Sequence, residues 1–265
     1  MFTPYDREEA AGYRKDNVEN RLREGSPVVG VSYDKGLLLL TVRRSQRKVY
    51  ELYDRQMFSA IGMQSDIENV RVKTIQIAHQ EGFERSPDDV TLQRLVGFIL
   101  SPSLKQSYGD MFSGVPYVIR ALFAEIGKKP QGDGFYTLNY DGEFRIYHEF
   151  AVIAGSQDAE DKMLERLEGV SHETGRDEAL QKALSAWIVG AKEAIKPQFT
   201  REEEDLNPLR DLDEAEANRA FLLDELKTGT IEVGILERDT KRESRFRLLT
   251  ENDLTGLLDQ YRNHS

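Results

Sequence analysis

Gly25-Ser26 stands directly before an apolar run, "PVVGVSY", and that order carries a specific chemical possibility. Some hydrolases cut a Gly–Ser or Gly–Thr bond in their own chain and use the freed residue as nucleophile. The new α-amine then acts as base, and a nearby cation lowers its pKa. In the uncut chain the Ser26 nitrogen is tied into a peptide with Gly25 and cannot act as that base. Pro27 follows at once, so the backbone N–H after Ser26 is missing. On these counts Ser26 reads as an ordinary residue at the entry of a strand.

Other constellations offer less. The histidines, at 79, 148, 172 and 264, share no ligand-like spacing, and the chain has no cysteine. This argues against a metal site, excludes disulfides and thiol catalysis, and implies no cofactor. "GKKPQGDG" at 127–134 lacks P-loop spacing and reads as a turn, and no Gly-x-Ser-x-Gly is present. The run Glu202-Glu203-Glu204-Asp205 places four carboxylates side by side, which fits a solvated loop better than a cation site.

The net charge of −11 argues against a phosphate-backbone binder, so no nucleic-acid partner is expected. Over half of it lies in residues 197–228, with ten acidic and four basic side chains, an acidic insertion holding a helical pattern over 211–226. Apolar runs such as "GLLLLTV" and "VGFIL" are too short to span a bilayer, and the charged start "MFTPYDREEAAGYRKD" has no signal-like core. The expectation is a cytoplasmic protein without membrane contact.

The elements that would position these residues can be read in order. Residues 6–23 favour a helix with a thin stripe of Ala10, Tyr13, Asn17 and Asn20, a face that leans on a neighbour. Strand signals follow from 27 to 61, with a hairpin turn at Asp34-Lys35-Gly36. The spacing of Met63, Ile67, Val70, Thr74, Ile77 and Ala78 predicts a helix stopping near Gly82. Ser86-Pro87 signals the start of another, carrying Leu92, Leu95, Val96 and Ile99, which Pro102 should end or kink. Four strands come next, with a turn at Asp141-Gly142, then helices over 157–168 and 176–195, the second with Leu180, Ala183, Leu184, Trp187, Ile188 and Ala191 on one face. Two late strands precede a helix over 250–262, where Thr250-Glu251-Asn252-Asp253 has capping-box spacing. Strands in hairpin-linked runs and helices in pairs imply antiparallel sheets covered by helices.

That order is the order of a four-layer α-β-β-α sandwich, the α+β N-terminal-nucleophile hydrolase fold. The chain resembles proteasome subunits, bacterial and actinobacterial-like in type. "EGSPVVGVSYDKGLLLL" is similar to their first hairpin, and "RKVYELYDRQMFSAIGMQSDIENVRV" to the strand pair leading into the first central helix. "EFAVIAGS" is similar to the strand and helix entry of the second half. The resemblance covers about residues 4–196 and 229–262, and the whole chain, 1–265, reads as one domain. The extra helix before the hairpin, within residues 1–24, matches the non-catalytic alpha kind. This implies a heptameric alpha ring that gates entry of unfolded proteins to proteolytic β subunits and binds a regulatory AAA-type ring ATPase. Sixteen residues after Ser26, where β subunits place the carboxylate that positions their active-site Lys, stands Val42.

The resemblance also suggests which residues matter. Lys48 falls where β subunits hold that Lys; in alpha subunits this position lines a pocket between neighbours and meets the terminal carboxylate of the ATPase tail. Gly25 would let the tail approach the backbone there, and Met63 would pack against it. Without the resemblance Lys48 is a solvated strand-end lysine beside Arg47. Tyr5-Asp6-Arg7 copies the letters of a gate triplet, but only eighteen residues before Gly25 and without the usual strand; Asp6 could equally be a helix cap. Two other readings stay open: a self-processed hydrolase using Ser26, and an alpha-like homo-oligomeric scaffold without β partner.

Overall fold

The computed structural model describes residues 4–110, 115–195, 213–242 and 244–262, with side chains from Glu9 onward. The run Glu202–Asp205 and His264 lie outside the described residues.

The first hairpin shows why the fold has four layers. β1 (Val28–Tyr33) and β2 (Gly36–Arg43) pair antiparallel around a two-residue turn, with Tyr33 opposite Gly36. Val29, Val31, Leu38, Leu40 and Val42 enter one core, while Val28, Leu37 and Leu39 enter another. Successive side chains leave a strand on opposite faces. A continuous apolar run such as "GLLLL" therefore belongs to a sheet covered on both sides.

The described residues form ten strands in two antiparallel sheets. The first has the order β10-β9-β2-β1-β8, adding β8 (Phe150–Ile153), β9 (Thr230–Glu237) and β10 (Phe246–Leu248) to the hairpin. The second has the order β3-β4-β5-β6-β7. Its strands are β3 (Tyr50–Tyr53), β4 (Gln56–Gly62), β5 (Ile119–Glu125), β6 (Gly134–Asn139) and β7 (Phe144–Tyr147).

Met57, Ile61, Leu122, Ala124 and Phe135 of the second sheet meet Leu37 and Leu39 of the first in the central core. Phe58, Ala60, Ala121 and Phe123, pointing the other way, meet the helices α2 (Gln64–Glu84) and α3 (Ser101–Gly109) and the π-helical stretch Gln93–Leu100 before α3. On the far side α4 (Gln157–Arg166), α5 (Arg176–Ile195), α6 (Glu214–Glu225) and α7 (Glu251–Arg262) cover the first sheet. The expected face of α5 is buried: Leu180, Ala183, Leu184, Trp187, Ile188 and Ala191 all lie in this outer core.

Of the expected caps, the one at Thr250 is present, and Ser156 and Asp213 add two more. The Ser156 side chain accepts from Ala159 N, and Thr250 and Asp253 cap α7 reciprocally, Thr250 N donating to Asp253 Oδ2 at 2.8 Å. α6 sits within the segment expected to be helical, capped by Asp213.

Three expectations are corrected, at Ser86-Pro87, at Pro102 and at Asp6. Ser86-Pro87 opens a single 3₁₀ turn, Pro87–Asp89, rather than the main helix, because Ser86 accepts from Asp88 N and the chain then extends at Val90. Pro102 ends nothing. It sits in the first turn of α3, where the preceding π-helical stretch has already changed the hydrogen-bond pattern, and its missing N–H is tolerated. The stripe of Ala10, Tyr13, Asn17 and Asn20 on α1 (Pro4–Arg23) is exposed, with Tyr13 at 70%. The face that holds α1 is Arg14, Val18 and Leu22: Arg14 donates to Asp110 O at 2.9 Å, and Val18 and Leu22 plug the central core. Each of those two side chains contributes about 1.5–3 kcal/mol by burial. Asp6 lies inside α1, which opens at Pro4, so it does not stand at the cap position.

Candidate functional site

The end of α1, the β2–β3 loop, the end of β4 and the last turns of α5 surround a cavity of about 640 Å³. Gly25 and Lys48 both line it. So do Arg23, Arg44 and Arg47, with Ile61, Trp187 and Ala191 supplying apolar wall. The acidic side chains on the lining are Glu24 and Glu225, against the basic Arg23, Arg44, Arg47 and Lys48. In a chain of net charge −11 this is a locally cationic hollow.

Lys48 is far from a solvated strand-end side chain. Its backbone N–H donates to Glu232 Oε1 at 2.9 Å, as does that of Val49 at 2.6 Å. Glu232 Oε2 meets Arg43 Nε at 2.8 Å, so a nearly buried carboxylate in β9 clamps the loop that carries Lys48. The Lys48 ammonium donates to Ser26 O at 2.8 Å. Burial pushes its pKa down to about 8, and the Glu232 charge opposes that shift without cancelling it.

Ser26 is engaged on both sides. Its carbonyl accepts a hydrogen bond from the Lys48 ammonium, and its hydroxyl accepts from Trp187 Nε1 at 3.2 Å, with Thr41 Oγ1 3.4 Å away. Thr41 itself donates to Pro27 O at 2.7 Å. Val42 lies in the outer core, with no charge to offer. The surroundings therefore hold the Ser26 hydroxyl as an acceptor beneath an indole and use Lys48 on the carbonyl.

Gly25 is constrained by its own fold. A Cβ there would lie 2.7 Å from Ile61 Cβ and 3.0 Å from Leu22 O, so only glycine lets the chain leave α1 against β4. Met63 does not line the cavity. It stands between the lining residues Gly62 and Gln64, 42% exposed, and its Sδ accepts from Arg21. Tyr5-Asp6-Arg7 falls in the first two turns of α1, and its side chains lie outside the described residues.

Sequence reasoning missed Glu232, Trp187 and Arg44. Glu232 carried a signal: an acid inside "TIEVGILE", a strand otherwise buried almost throughout, must have partners. Among the described residues no three His, Asp or Glu side chains form a group that could hold a metal ion, and no helix is long and apolar enough to cross a membrane.

No protein-family model matches the chain. It is similar to a proteasome subunit alpha of Nocardioides sp., 35% identical over 150 residues, which are 55% of this chain and 57% of that protein. It is 30% identical to a proteasome subunit alpha of Acidothermus cellulolyticus over 162 residues, 58% of this chain and 67% of that protein. The chain belongs to the proteasome alpha-subunit family. A proteasome subunit alpha of Frankia casuarinae aligns over 253 residues, 93% of this chain and 92% of that protein, at 26% identity. The alignment with the Nocardioides relative thus spans less than two thirds of that protein's length, while the Frankia alignment runs through nearly all of both. For this proteasome alpha-type chain the relatives are actinobacterial, as the resemblance implied, and the helix before the first hairpin, α1, is present.

Proposed function

We propose that the chain is a non-catalytic, cytoplasmic ring subunit of a proteasome core, forming one domain. It assembles with copies of itself into a heptameric alpha ring and stacks on proteolytic β subunits. Unfolded substrates enter through the ring, with residues 1–5 and the Tyr5-Asp6-Arg7 triplet near the pore. The cationic cavity receives the C-terminal carboxylate of a regulatory ring ATPase.

The observation that carries this reading is the placement of Lys48. A partly buried ammonium with one hydrogen bond, to Ser26 O, lines a hollow that also holds three arginines and an apolar wall. A terminal carboxylate with apolar neighbours is the ligand such a site suits. Met63 stands beside the cavity, with its sulfur accepting from Arg21. The exposed Tyr13 face of α1 supports packing against a neighbouring copy, as its thin apolar content requires.

Self-processing at Ser26 is disfavoured by the same geometry. Its hydroxyl is an acceptor for Trp187, the cation sits on its carbonyl, and no carboxylate stands at 42.

Co-production with the β subunit, followed by sizing and a peptidase assay, tests the assignment. A joint high-mass assembly that cleaves peptides is the expected result. An inactive complex, or no complex, contradicts it.

A further inference from the structure

We infer that Lys48 is a site of covalent acylation by small anionic acyl donors, of which acyl phosphates are the simplest class. The inference stands on the juxtaposition of one lysine and three arginines on the lining of a single cavity, whatever macromolecule docks there.

Acyl transfer to lysine needs an unprotonated amine, access for the donor, and something to hold the leaving group. Access is given by the cavity itself, which Lys48 lines. The amine is available because burial lowers the proportion carrying a proton near neutrality, where an ordinary surface lysine is almost wholly charged. Holding it on the neutral Ser26 carbonyl, rather than on a carboxylate, leaves that tendency in place.

The charged groups around it come from every packed element. Arg23 and Glu24 close the end of α1, Arg44 and Arg47 line the β2–β3 loop, and Glu225 ends α6. Glu232 and Arg43 sit beneath the loop and neutralise one another. Arg47 is held in place by Tyr50 and Phe246, whose ring centres lie 5.3 and 5.6 Å from its guanidinium carbon. Arg44 is 74% exposed and only loosely paired, 3.9 Å from Glu225. The excess of guanidinium groups suits a phosphate dianion.

The step balances simply. Neutral Lys48 Nζ attacks the acyl carbon, the bond from that carbon to the phosphate oxygen breaks, and inorganic phosphate leaves. The proton lost by the amine passes to the departing phosphate, and an uncharged amide remains on the lysine. No oxidant or cofactor is needed.

The test uses the full wild-type chain, acetyl phosphate as donor, and peptide mapping by mass spectrometry over time at a pH of about 8. Lys128 and Lys227, which are 75% and 73% exposed, serve as internal references. Lys48 is expected to acetylate at least about fivefold faster than either. Its advantage should shrink with N-acetoxysuccinimide, a neutral donor that the arginines cannot hold. Arg44→Ala, at an exposed position, should slow Lys48 with acetyl phosphate and leave its rate with the neutral donor unchanged. A Lys48 rate no greater than that of the references overturns the proposal. So does an equal advantage with both donors, which would deny the arginines any part.

Discussion

Lys48 Nζ donates to the Ser26 carbonyl at 2.8 Å, while the Ser26 hydroxyl, on the other side of the same residue, accepts from Trp187. The two residues that could have formed a nucleophile and its activating cation are thereby separated in role. The hydroxyl faces an indole, and the ammonium faces a carbonyl and a cavity.

Removing the cation should weaken the proposed tail docking. Lys48→Met is expected to weaken binding of a carboxylate-terminated ATPase tail about tenfold to a hundredfold, the worth of a charge-assisted hydrogen bond of about 1.5–3 kcal/mol. Amidating the peptide C-terminus should weaken wild-type binding similarly and add little to the variant. Titration of both peptides against both proteins checks this.

The same group sets a pH dependence with a defined sign. Lys48 in the fold has a pKa of about 8, so its charge is present below that value and lost above it. Tail binding is expected to be constant below about pH 7 and to fall as pH rises through 8, towards about tenfold per pH unit. Stability should move the other way. Between about 8 and the unfolded value of 10.5 the unfolded chain binds more protons at this site, so this group's contribution rises with pH. Chemical denaturation of wild type and Lys48→Met across that window, compared as a difference, isolates the effect.

Gly25→Ala should destabilise the isolated chain by about 1–3 kcal/mol, because its Cβ has no room against Ile61 and Leu22 O. Gly12→Ala is the contrast. It lies in α1 with nothing within 4 Å of the added carbon, and should stabilise by about 0.5–1 kcal/mol. Thermal unfolding of the two variants should shift in opposite directions.

Glu232→Gln should cost about 2–4 kcal/mol, since Arg43 loses its partner and an amide replaces the acceptor pair beneath the loop. Tail binding should weaken with it, because Glu232 positions Lys48 through the backbone. Circular dichroism melts and the peptide titration separate the two losses.

Much of the fold was legible because its signals were redundant. The turn residues Asp34-Lys35-Gly36 between apolar runs announced the first hairpin, and the spacing from Leu180 to Ala191 announced a helix buried along one side. What misled were residues whose local preference was outvoted. Pro102 looked like a terminator until a preceding π-helical stretch made its missing N–H harmless. On α1 the contact with the chain's own core went unread, because Val18 and Leu22, four apart, are too few to register as a face. In the cavity, Gly25 and Lys48 came from resemblance alone. Glu232 is 184 residues from Lys48, and no local pattern links two such distant positions.

The most direct test of the central claim is electron microscopy of the chain co-produced with a proteasome β subunit, with intact mass measured on the same sample. Seven-fold outer rings built from a chain uncut between Gly25 and Ser26 are the predicted result. A chain cut at that bond, or particles without seven-fold alpha rings, would contradict it.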